Sequence, residues 1–168
     1  MEISRSRALR GPNLWSRNTA IESIVHCTPE EHNFTLLPRF EEKLRARFPA
    51  IGGLQAQGMA NTLSLAHVLE AAALALQAQA GCPVTFSRTQ ATVEQGTFQV
   101  VVEYTEEAVG KRAVELAEAL INAALTDSPF DAKAAIAELY ELDEEERVGP
   151  STGSLLNASI ARGIPTAV

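Results

Sequence analysis

The stretch TFQVVVEYTEEAVGKRAVELAEALINAALT, residues 97–126, decides the fold class, because its hydrophobic period changes partway along. Phe98, Val100 and Val102 alternate with Gln99, Val101 and Glu103, which is the period of a strand with one apolar face and one only partly apolar. Beyond Glu106 and Glu107, Val109, Ala113, Leu116, Leu120 and Ile121 recur every three or four residues through to Leu125. That spacing predicts a helix, and the two acids at its start suit the positive end of the helix dipole. A strand therefore passes directly into a long amphipathic helix.

Working outward, Gln95 and Gly96 form a turn before this strand, and Cys82–Thr89 supplies the first strand of a β-hairpin. Still earlier, Asn61 is a good N-cap for a central helix through Leu65, Leu69, Ala72, Ala73 and Leu76, with Gly81 placed to take the left-handed conformation at its end. Gly52, Gly53 and Gly58 make the preceding segment a loop. Phe40, Leu44 and Phe48 lie four apart among charged residues, so 36–48 reads as an amphipathic helix stopped before Pro49. Residues 1–10 and 20–27 read as strands, with Trp15 in the loop between them as a plug for one end of the core. Downstream, Asp131 caps a helix bearing Ile136, Leu139 and Tyr140, the acids 143–146 follow, Gly149 and Pro150 break the chain, and 151–162 forms one more helix. The expected fold is a single α+β domain with a mainly antiparallel sheet of about four strands packed against several helices.

A chain of 168 residues with 46% hydrophobic side chains can bury a core without staples. Its two cysteines, Cys27 and Cys82, are far apart, no charged-then-apolar leader opens the chain, and the longest apolar run cannot cross a bilayer. The expectation is a cytoplasmic protein with free thiols and no membrane partner. A formal net charge of -7 argues against nucleic acid, whose phosphates need a basic footprint. The charge is uneven, however: residues 1–49 carry eight Lys or Arg against six acids, whereas the remainder carries six against fifteen. Separate basic and acidic regions suit a ligand carrying both signs, although ordinary solvated faces would look the same.

Phosphate-binding glycine motifs and the serine elbow are absent. The one constellation with catalytic spacing is His67-Val68-Leu69-Glu70, whose ends project from the same side of a helix. An inverted H-x-x-E-H zinc site needs a second His one residue later, and Ala71 stands there. An empty or very weak metal site is therefore expected, with any third donor coming from Glu106 or Glu107. The alternative is a packed His67 bonded to Glu70 or to a backbone group. His26 and His32 lack ligand spacing and read as structural.

Three blocks point to a family. Arg10-Gly11-Pro12-Asn13-Leu14-Trp15 near the start, Gly149-Pro150-Ser151-Thr152-Gly153-Ser154 near the end, and His67-Val68-Leu69-Glu70 with Val102–Gly110 between them resemble the amino-terminal domain of cyanophycin synthetases. The resemblance implies a domain, 1–148, that holds the polymer, with 149–168 starting the connection to an ATP-grasp domain and a further ligase domain. It implies no cofactor in this chain, ATP and Mg for the following domains, and a homo-oligomer in the full-length protein. The implied partner is cyanophycin, multi-L-arginyl-poly-L-aspartate. Many members carry an H-x-x-E-H peptidase site, for which this chain keeps vestigial His67, Glu70 and Glu107 but not the second His. The expected function is thus non-catalytic tethering, with Arg39, Lys43, Arg45 and Arg47 contacting carboxylates and Glu106, Glu107 or the acids 141–146 contacting guanidinium groups. The alternatives are a zinc-dependent hydrolase that cuts polymer into primers and a purely structural or oligomerisation domain.

Overall fold

The computed structural model describes residues 1–9, 19–34, 37–51 and 64–148. Strands β1 (Glu2–Leu9), β2 (Ala20–His26), β3 (Ser87–Ala91) and β4 (Thr97–Glu103) form one antiparallel sheet in the order β1-β2-β4-β3. Ile21 faces Val102 and Val25 faces Phe98 across the β2–β4 ladder, so the apolar sets of both strands fall on one side. Helices α1 (Phe40–Arg47), α2 (Leu65–Gln79), α3 (Glu107–Thr126) and α4 (Ala132–Val148) complete the domain, which bears out the α+β reading.

The central helix α2 contacts β3, β4, α3 and α4. Leu65, Leu69 and Leu76 are fully buried along it, each contributing roughly 1.5–3 kcal/mol, while Ala66, Ala72 and Ala73 let neighbouring backbones approach. It ends in a Schellman motif. The Cys82 N–H reaches the Gln77 carbonyl and the Gly81 N–H that of Ala78, with Gly81 at φ +94° as a residue without Cβ permits.

Four boundaries differ from expectation, one being that α4 runs on through the acids 143–146, which were expected to follow a shorter helix, to Val148. The N-cap of α2 is Ser64; Asn61 lies outside the described residues. Helix α1 begins only at Phe40, because Pro38 disfavours helix at Leu37 and Arg39 takes φ +56°. The first hairpin strand runs Ser87–Ala91, not 82–89: at Phe86 its carbonyl still accepts the Glu103 N–H at 2.9 Å, but the Thr85 and Phe86 N–H groups go to the Glu103 carboxylate at 2.9 and 3.0 Å instead of to a strand carbonyl. Asp131 does cap α4, its carboxylate accepting the Ala134 N–H. Trp15, the 52–58 glycines and the expected 151–162 helix lie outside the described residues. Both cysteines are free and buried, and no described helix is long and apolar enough to cross a membrane.

Candidate functional site

His67 stands in the first turn of α2, where a helix exposes unpaired N–H groups. Its Nδ1 accepts the backbone N–H of Ser64 at 3.1 Å and lies 2.9 Å from the Ser64 hydroxyl. The third helical residue thus returns its side chain to the cap, a task more often given to Glu or Gln. Because a backbone N–H can only donate, the neutral ring carries its proton on Nε2, a tautomer assigned from that donor. Burial holds the His67 pKa below the ordinary imidazole value, and the ring meets Phe98 edge-on at 6.0 Å.

Glu70 lies one turn on and faces β3. Its Oε1 accepts the Ser87 hydroxyl at 2.7 Å, while Oε2 is buried with no partner among the described residues. Burial pushes its carboxyl above the ordinary range, against the partly opposing hydroxyls of Thr89 and Ser87. His67 and Glu70 are therefore tied to different elements, one to its own helix cap and the other to an edge strand.

Zinc does not fit this arrangement. A zinc ion takes at least three protein donors, and His67 presents a protonated Nε2. Among the described residues no three His, Cys, Asp or Glu side chains are grouped to hold a metal ion, so Glu107 does not complete a set with His67 and Glu70. Instead Glu107 pairs with Lys111 at 2.9 Å, and Glu106 is the N-cap of α3.

The basic helix α1 divides into two faces. Arg47 is inward: its Nε donates to the Ser128 carbonyl at 2.7 Å, and its guanidinium lies 3.6 Å from Asp127. Lys43 stands 3.8 Å from the same carboxylate. Both cations thus seat α1 on the negative end of α3, where Asp127 caps the helix in the left-handed conformation. Arg39 and Arg45 are outward. Arg39 forms an exposed fork with Glu42, at 2.9 and 3.0 Å, whereas Arg45 has no ion-pair partner among the described residues. Arg45 lines a shallow cleft of about 530 Å³ with Glu41, Glu42, Ala46 and Pro49. Since α1 docks at the far end of a 20-residue helix from Glu106 and Glu107, the expected basic and acidic groups stand roughly 30 Å apart. The structure does not bring them together, but α1 presents both signs by itself.

Sequence reasoning missed another charged group. Glu22 on β2, only 4% exposed, accepts Arg7 from β1 at 2.6 Å and Gln99 from β4. The register sets Arg7 opposite Glu22, while Gln99, opposite Ile24, reaches Glu22 diagonally from the same face.

The sequence profile of the cyanophycin synthase-like N-terminal domain matches residues 30–126. The chain is 32% identical over 181 residues to a cyanophycin synthetase of Geminocystis herdmanii and 30% over 185 to one of Synechocystis sp.. A third, from Trichormus variabilis, is 29% identical over 186 residues. Each alignment takes in 98% of this chain but only 20–21% of the relative, so the chain spans about a fifth of the length of the curated relatives it matches.

Proposed function

The chain belongs to the cyanophycin synthase-like N-terminal domain family, and from that premise we propose that it holds the polymer without cutting it. Ligation, with its ATP and Mg, belongs to following domains of a longer cytoplasmic synthetase. The polymer presents a carboxylate and a guanidinium on every arginine. A holding surface must therefore offer both signs within a few ångströms, as the exposed face of α1 does.

The observation that carries this reading is the cleft in which Arg45 stands with Glu41 and Glu42. Each exposed ion pair contributes only about 0.2–1 kcal/mol, so one contact would not retain a ligand. A repeating chain supplies many such contacts, and tethering keeps its ends at high local concentration. The His67–Glu70 pair supports the non-cutting half of the proposal, because its ring nitrogen caps a helix and its carboxylate anchors β3.

Passing the chain over immobilised cyanophycin tests the reading. Retention at low salt that fades as ionic strength rises supports it, since a Debye length near 10 Å at 0.1 M screens exposed pairs. No retention at low salt would favour a purely structural or oligomerisation role.

A further inference from the structure

Helix α4 leaves a second cleft that the α1 surface does not use. Ala80 at the end of α2 and Ile136 and Ala137 on α4 make its floor, Tyr140 forms a wall, and Lys133 and Glu141 stand at the ends, around a volume of about 390 Å³. Tyr140 is 52% exposed, one of two large apolar side chains so placed among the described residues. Neither Lys133 nor Glu141 has an ion-pair partner among those residues. The spacing is regular: 133, 136, 137, 140 and 141 follow the stripe of one helix face, and eight residues put the two charges about 12 Å apart along the axis.

We infer that this cleft is a subsite for one arginine arm of the polymer, with the guanidinium over Tyr140 and against Glu141 and the free carboxylate at Lys133. It rests on the polymer-holding reading and extends it to a second cleft. The chemistry of the occupant follows from complementarity. An arginine joined through its α-amino group carries a carboxylate at one end, a cation at the other and three methylenes between, and the cleft offers an ammonium, a carboxylate and an apolar floor in that order. The aromatic wall selects guanidinium, which stacks on a ring face more readily than an ammonium does. Acidic peptide alone would find one partner here, and an apolar peptide would leave both charges unused.

Titration calorimetry of the 168-residue chain with a synthetic four-unit cyanophycin segment tests the subsite. Tyr140→Ala should weaken binding about two- to fivefold, Tyr140→Phe should hold it within about twofold, and Lys133→Glu should weaken it and flatten its salt dependence. Both positions are exposed, so folding is not at stake. If the parent chain binds while Tyr140→Ala and Lys133→Glu bind equally well, the subsite is wrong and the polymer-holding reading stands. If the parent chain does not bind at all, both fall. Sedimentation velocity supplies the remaining arm: a self-association lost in Tyr140→Ala, with polymer affinity unchanged, would assign the cleft to a second copy and overturn the inference.

Discussion

The backbone N–H of Ser64 donates to Nδ1 of His67 at 3.1 Å, so the imidazole that a metallopeptidase would spend on zinc here closes the first turn of its own helix. The bond requires the neutral ring. Protonation would place a second donor against the Ser64 N–H, and burial already disfavours the cation.

The first prediction follows from that sign. A histidine whose folded pKa lies below its ordinary 6.5 contributes stability above that pH and loses it as pH falls through the depressed value. His67→Gln keeps a side-chain acceptor for the cap and removes the titration. Thermal unfolding followed by circular dichroism should show the parent losing more stability than the variant between about pH 7.5 and pH 5.

Glu70 has the opposite sign. Its folded pKa is raised above 4.5, so the stability linked to its neutral form is present at low pH and disappears as pH rises through the raised value. Glu70→Gln preserves an oxygen for the Ser87 hydroxyl without a buried charge. The variant should gain melting temperature at about pH 7.5 and gain less at about pH 4.5. An equal effect at both would mean that burial does not raise the Glu70 pKa.

Arg45 and Arg47, two residues apart, should separate binding from stability. Arg47→Ala removes the 2.7 Å bond to the Ser128 carbonyl and the pairing with Asp127, at a cost of about 1–2 kcal/mol in denaturant unfolding. Arg45→Glu should leave stability within about 0.5 kcal/mol and shorten retention on immobilised cyanophycin.

Gly110 sits inside α3, where alanine would ordinarily be worth about 1 kcal/mol to the helix. A Cβ there would stand 2.5 Å from the Cβ of Tyr104 and 3.1 Å from Cγ1 of Ile21. Gly110→Ala should therefore destabilise, by about 1–3 kcal/mol, because overpacking against a strand outweighs propensity. Urea unfolding reads the sign directly.

The elements legible in the sequence were those with a local cause. The alternation of Phe98, Val100 and Val102, the stripe from Val109 to Leu125, Gly81 as a helix terminator and Asp131 as a cap each act within a turn or two, and each stands where expected. What the sequence hid depends on distant partners. Nothing near Arg47 announces that its guanidinium closes a helix 81 residues away, and nothing near Glu103 announces that its carboxylate takes the N–H groups of 85 and 86. For His67 the expectation of a bond to Glu70 or to a backbone group was met by the backbone N–H of Ser64, although the cap-and-three spacing that names this partner went unread.

One experiment bears most directly on holding without cutting: incubate the chain with zinc and cyanophycin of known length, then measure both the bound fraction at low and high salt and the polymer length. The account predicts salt-sensitive binding, unchanged length and no effect of chelator. Chelator-sensitive shortening of the polymer would contradict it.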